Sequence, residues 1–495
     1  MGLVTPFFKS FHPLLFGKPP VSAFKRAMAN LPKVGSLAEL RQLFGSYFPA
    51  ALLAKKPSGE NRANRIFSLE VTFWAFLDQV SSPGCSCRET VRKIMAWRRF
   101  QNRRGKTGDM SGNTSAYCQA RARLPLDTIK DIHAHLVDRL VRNMPSKDLW
   151  HGRAVKLVDG TGISMPDTPR NQAVYPQSSS QKLGCGFPAM NLVGIFCLTS
   201  GALLKVAYGD RRTHETMLFK SLWHTLERGD VIVADRGYCS FGAIVNLVAR
   251  GADVVMRLPA KAIRSLGAKL PRSESFEVLT LLHKPCGRPL TISSEDFAAM
   301  PNGVPVRVVR YSLSRHGFRT QSVTLVTTLL DPAVTPEDLA AIYFRRWEIE
   351  LHFREIKTLL KMDALRCLSP KMIERELLLH VVSYNLIRCV MQKAALSHGS
   401  DLDRLSFKGC LDTVRHFANA AHAAERRPRT IDALIEEMLL AIAKDYIPRR
   451  PGRSEPRAIK RRPKNFHFLT KPRHEMGNLP HRNKGRSNDP KSARS

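Results

Sequence analysis

The sequence predicts a multidomain α/β protein whose core of alternating strands and helices holds a β-rich insertion and lies between helical N-terminal and C-terminal regions. Three observations predict it. The chain has 495 residues, 43% of them hydrophobic, enough for a large core divided among about two to four domains. Its apolar spacing is helical up to about residue 145 and then changes to short apolar runs alternating with helical segments, the signature of a mostly parallel, covered sheet. Between about Lys261 and Asp331 the pattern is strand-like without helices, and helical spacing returns at Pro336.

In chain order, the first elements are amphipathic helices near Ser68 to Gln79, Cys87 to Phe100 and Leu126 to Arg142. The middle one carries Arg88, Arg92, Lys93, Arg98, Arg99, Arg103, Arg104 and Lys106 against the single acid Glu89, with Trp97 and Phe100 interleaved. Such a stretch suits phosphate contacts anchored by an aromatic ring, with Arg98 and Arg99 as the foremost candidates. The plainer alternative is a solvated basic face. Strands follow at Ala154 to Val158, Asn191 to Leu198, Ala202 to Tyr208, Val231 to Ala234 and Ala252 to Leu258, with helices at about His214 to Arg228 and Phe241 to Arg250. Val304 to Leu313 and Gln321 to Leu330 are strands of the insertion. A long helix is expected from about Pro336 to Met362, with further helices at Pro370 to Ala395 and Thr430 to Lys444.

The segment Arg449 to Ser495 has 15 Lys or Arg against the three acids Glu455, Glu475 and Asp489, and is expected to be extended or disordered. The expected divisions are therefore 1–145, a helical DNA-binding region; 146–260, the first part of the core; 261–334, the β-rich insertion; 335–369, the returning core helix; 370–447, a helical C-terminal region; and 448–495, a basic tail.

A formal charge of +36 calls for a polyanionic partner, nucleic acid before an anionic membrane surface. The most apolar stretch, Leu377 to Val390, is short and interrupted by His380, Asn385 and Arg388, so no bilayer span is expected. Pro6, His12 and Pro13 break up the apolar N-terminus, which also has no small-residue cleavage site; a cytoplasmic, DNA-associated protein is the expectation. Of ten cysteines only Cys85 and Cys87 lie close together, without the second half that a zinc site needs, and free thiols are expected.

Two acids stand out because both follow short runs of apolar residues and precede glycine-containing turns: Asp159, after Ala154 to Val158 and before Gly160, and Asp235, after Val231 to Ala234. Strands apolar on both faces belong in the middle of a covered sheet, and ligands of such sheets bind beyond the strands' carboxyl ends. Taken alone, an Asp after a strand is more often a turn former or helix cap. Two in one α/β domain are another matter, because neighbouring ionised carboxylates repel unless a hard cation such as magnesium neutralises them. A third acid, Glu350, lies on the long helix, where Tyr343, Arg346, Glu350 and Lys357 share roughly 60° of one face beside an apolar stripe of Ile342, Ile349, Phe353, Ile356 and Leu360. That spreads hydroxyl, guanidinium and ammonium donors along a phosphate track, with Arg354 a weaker candidate. Surface ion pairs of Glu350 with Arg346 or Arg354 are the structural alternative. His214, beside Glu215 at a helix start, reads as a structural hydrogen-bonding residue, and no G-x-S-x-G elbow supports a serine hydrolase.

The spacing Y-x2-R-x3-E-x6-K met by Tyr343, Arg346, Glu350 and Lys357 resembles the YREK signature of insertion-sequence DDE transposases of the IS-four type. The contexts of Asp159 and Asp235 are similar to those of that family's first two catalytic acids, and the resemblance covers about Lys156 to Leu365. It implies an RNase H-like core and two Mg²⁺ ions, replaceable by Mn²⁺, held by Asp159, Asp235 and Glu350. It further implies double-stranded DNA as partner, in the form of terminal inverted repeats and target DNA, and a homodimer on the paired ends. A hairpin intermediate at the element's end is open on this reading. No nucleotide cofactor is expected, since there is no G-x4-G-K-[ST] motif and transesterification conserves bond energy. An RNase H-like nuclease that cuts without joining, and an inactive repressor derived from an element, are the alternatives.

Overall fold

The computed structural model describes residues 44–54, 66–101, 110–266, 270–271, 273–289, 292–313, 321–423, 428–448, 472 and 475. The apolar runs read after Ala154 form β1 (Val155–Ser164), β2 (Ala189–Cys197), β3 (Leu203–Asp210), β4 (Val231–Ala234) and β5 (Asp253–Arg257). They pair in the order β3-β2-β1-β4-β5. β1, β2 and β3 are successively antiparallel, whereas β1, β4 and β5 run parallel. One sheet thus joins an antiparallel meander to parallel strands. All four residues of β4 are buried, as a central strand covered on both faces requires.

β6 (Phe276–His283), β7 (Gly303–Leu313) and β8 (Gln321–Thr327) are the strands of the β-rich stretch. They extend the core sheet, with β8 antiparallel to β5, so that one sheet of eight strands runs β3-β2-β1-β4-β5-β8-β7-β6. The stretch is not free of helix as its periodicity suggested. Ala260–Leu266 and Ser294–Ala299 are short helices, the second capped by the Ser293 hydroxyl, which accepts from the Asp296 amide. Elements of six or seven residues are too short for spacing alone to mark as helices.

The helices are α1 (Ala50–Ala54), α2 (Leu69–Ser81), α3 (Cys87–Gln101), α4 (Ser115–Arg123), α5 (Leu126–Arg142), α6 (Pro169–Val174), α7 (Glu215–Leu222), α8 (Phe241–Ala249), α9 (Ala260–Leu266), α10 (Ser294–Ala299), α11 (Pro336–Arg345), α12 (Glu348–Arg354), α13 (Pro370–His398), α14 (Phe407–Ala423) and α15 (Pro428–Lys444). α13 is the hub: α2, α5, α14 and α15 all pack on it. The stretch Leu377 to Val390, too polar for a membrane, is buried throughout.

Its polar residues bind the hub to the sheet. The Asn385 amide brackets the backbone of Leu203, accepting from its N–H and donating to its carbonyl at 2.9 Å each. The Tyr384 hydroxyl donates to the Gly201 carbonyl at 2.7 Å. Gly201, in the β2–β3 turn at φ +66°, meets two demands for glycine at once, since a Cβ there would also lie 2.8 Å from the Arg388 guanidinium. Among the described residues no helix is long and apolar enough to cross a membrane. All ten cysteines are free. The basic segment from Arg449 onward lies outside the described residues except for Pro472 and Glu475.

Candidate active site

Val158 pairs with Ala234 across the parallel β1–β4 ladder, so Asp159 and Asp235 leave that ladder side by side. There β4 ends. β1 does not end at its acid, as its apolar residues suggested; it continues to Ser164, paired with β2 alone. A backbone ladder needs no apolar side chains, and Gly160, Thr161 and Gly162 carry it forward. Asp159 thus stands where two neighbouring strands part, the place at which sheets of this kind bind ligands.

The returning helix is not continuous either. α11 starts at a capping box formed by Thr335 and Asp338 and stops at Arg345; α12 follows a turn at Arg346 and Trp347, and a π-helical turn spans Glu355–Leu359. Ile349, Ile356 and Leu360 are buried all the same, and the polar residues still gather at the parting strands. The Tyr343 hydroxyl donates to Asp235 at 3.3 Å. The Arg346 guanidinium is 3.7 Å from both Asp159 and Glu350 and stacks on Trp347, 5.0 Å from its ring centre. The Lys357 ammonium donates to the Thr161 hydroxyl at 2.9 Å and the Gly162 carbonyl at 3.1 Å. Arg354 is exposed at the end of α12. Arg98 lies on α3 in the helical layer, and the Arg99 side chain is outside the described ones.

Burial dominates the electrostatics of the site. Burial pushes the Asp159 carboxyl up to about 6; the Gly160 amide and Arg346 oppose the rise, while Glu215 and Glu350 add to it. Burial also raises the Tyr343 phenol, and the Asp235 carboxylate adds to that. Among the described residues no three His, Cys, Asp or Glu side chains already stand as a metal-holding group. As a donor set, however, Asp159, Asp235 and Glu350 offer only the hard carboxylate oxygens that divalent cations such as Mg²⁺ prefer. Arg346, between two of them, supplies a positive charge to both.

Residues 150–386 match the family model described as "Transposase DDE domain". That span holds all three acids. The chain carries a transposase DDE domain. It is 27% identical over 360 residues to the transposase InsG for insertion sequence element IS4 of Escherichia coli (strain K12), covering 70% of this chain and 77% of that one. It is 26% identical over 192 residues to the Escherichia coli transposase for insertion sequence element IS421, covering 33% of this chain and 51% of that relative. A solved piggyBac transposase, in a synaptic complex with hairpin DNA, superposes with a TM-score of 0.44 at 10% identity, covering 86% of this chain and 88% of the other.

Sequence reasoning passed over two residues of this region. Glu215 opens α7 and packs against Gly160, and Tyr238, three residues after Asp235, donates its hydroxyl to Glu215 at 3.3 Å. Their only sequence signal is position: one follows the cap of a helix, the other ends the turn that Asp235 begins. His214 is the cap, its ring nitrogen accepting from the Thr216 amide at 3.3 Å. Trp223 is buried, whereas Trp347 is 56% exposed on the turn between α11 and α12.

Proposed function

We propose that Asp159, Asp235 and Glu350 are the catalytic acids with which this transposase cuts DNA at the ends of an insertion sequence and joins the freed 3′ ends to target DNA. The convergence of two strand-borne acids and one helix-borne acid on the parting of β1 and β4 supports this reading. Divalent metal ions are the usual cofactors of the family, and two of them, Mg²⁺ or Mn²⁺, held by the three acids would stabilise the attacking and leaving oxygens of an in-line displacement.

The chain's own residues set the geometry. Tyr343 fixes the Asp235 carboxylate through its hydroxyl, and Arg346 bridges Asp159 and Glu350 while presenting remaining donors to a phosphate. Lys357 ties the helix to β1 and adds positive charge along the same track, with Arg354 beyond it. Water attack on a terminal phosphodiester frees a 3′-hydroxyl. That hydroxyl then attacks a target phosphodiester, forming one P–O bond as another breaks, so no nucleotide cofactor is consumed. The substrates are terminal inverted repeats, two of them brought together by a homodimer, and the helical N-terminal region with Arg98 and Arg99 contributes to holding them.

The test is cleavage and joining of DNA carrying the element's own ends, with Mg²⁺ or with EDTA. Wild type joins only with Mg²⁺. Glu350→Gln keeps DNA binding but loses about three orders of magnitude or more in both reactions, roughly 4 kcal/mol of transition-state stabilisation. Cleavage without joining would instead make this a nuclease, and binding alone a repressor.

A further inference from the structure

The carboxylate of Glu215 lies directly over Gly160, the residue after Asp159. A Cβ at Gly160 would come within 2.4 Å of the Glu215 carboxyl carbon and 2.5 to 2.6 Å of its oxygens. The glycine is therefore the space that the carboxylate occupies. α7 packs on β2 and β3, so Glu215 reaches the parting of β1 and β4 from a different element than the helix that carries Glu350.

Tyr238, 4% exposed, holds Glu215 in place through its hydroxyl, and it follows closely on Asp235. One side chain is thereby tied to the loops of both aspartates. Among the described residues, Glu215 forms no ion pair with Lys, Arg or His. A carboxylate packed on the residue that follows Asp159, without a basic partner, is stabilised when a cation joins the two.

We propose that Glu215 is a fourth carboxylate of the active site, holding the same divalent cations as Asp159 and Asp235, with Gly160 making room for it and Tyr238 fixing its orientation. This rests on the reading of Asp159, Asp235 and Glu350 given above. A purely structural Glu215, serving only as acceptor for Tyr238, is the rival account.

Mn²⁺ titration of the full chain without DNA, followed by electron paramagnetic resonance, separates the two. Glu215→Gln keeps an acceptor for Tyr238 and nearly the same shape but loses the charge; Mn²⁺ binding is expected to weaken about 10- to 100-fold, with the unfolding midpoint in EDTA not lowered. Gly160→Ala displaces the carboxylate without removing it and is expected to weaken Mn²⁺ binding in the same direction. Tyr238→Phe frees the carboxylate but keeps it, with a smaller loss of about threefold. Asp159→Asn is the control for the underlying reading. Mn²⁺ binding lost in Asp159→Asn but at wild-type strength in Glu215→Gln would overturn the role of Glu215 alone; binding at wild-type strength in both would overturn the site itself.

Discussion

At the residue scale, the active site depends on few contacts, each of which can be removed singly. Tyr343 touches Asp235 through one hydroxyl, while its ring is buried against the helix and sheet. Tyr343→Phe keeps the ring and deletes that contact. Strand cleavage is expected to fall about tenfold, equivalent to about 1.4 kcal/mol, with little change in the unfolding midpoint. A variant as fast as wild type in single-turnover cleavage would show that Asp235 needs no such support. The residues that the sequence made legible, Asp159, Asp235, Tyr343, Arg346, Glu350 and Lys357, are those whose spacing is local or repeats a strand-then-acid design. Glu215 was not legible, because its neighbour Gly160 lies far back in the chain, on β1, and its own surroundings, Thr213 to Thr216, look like an ordinary helix start. Only the fold puts its carboxylate over Gly160.

At the scale of elements, the returning helix shows what periodicity averages away. Its apolar residues keep phase, so spacing alone gives one unbroken helix from Pro336 to Met362. The structure breaks it at Arg346 and Trp347, where the guanidinium is drawn to Asp159 and Glu350, and widens it to a π-helical turn from Glu355, where the next buried charge is met. There Arg388 of α13 donates to the Glu355 carboxylate at 2.8 Å and approaches the His352 ring nitrogen at 2.6 Å. Burial and Arg388 both keep His352 neutral, and Arg388 holds Glu355 ionised against its own burial. The hub helix thus clamps the element that carries Glu350. Arg388→Met leaves a buried carboxylate without its partner, at an expected cost of about 3 to 5 kcal/mol in denaturant unfolding. Adding Glu355→Gln removes that carboxylate and should restore about half or more of the loss. Equal and additive losses in the two single variants would show that the pair is not coupled.

At the scale of the molecule, a charge of +36 concerns partners, while the response of the fold to acid is set by buried groups. Burial pushes His133 down to about 4 and His380, with a further push from Arg366, down to about 3. Both are neutral inside and take up protons on unfolding below the ordinary histidine value of about 6.5. Their contribution is complete above that value and is lost as pH falls toward 4. Asp159 and Asp403, each raised to about 6 chiefly by burial, act in the opposite direction: their contribution is complete below about 3.8 and is lost as pH rises through 6. Acid therefore weakens the protein through the histidines and strengthens it through the aspartates over much of the same range, which flattens the stability profile. Removing one histidine unbalances it. In His380→Leu, which keeps an apolar side chain of similar size on the hub helix, stability relative to wild type should improve by roughly 1.4 kcal/mol for each unit that pH falls between 6.5 and 4. Urea unfolding at pH 7.5, 5.5 and 4.5 in EDTA measures this directly. A stability difference between variant and wild type that stays constant over the three values would mean that His380 is protonated in the folded chain as readily as in the unfolded one, and that its burial does not control its charge.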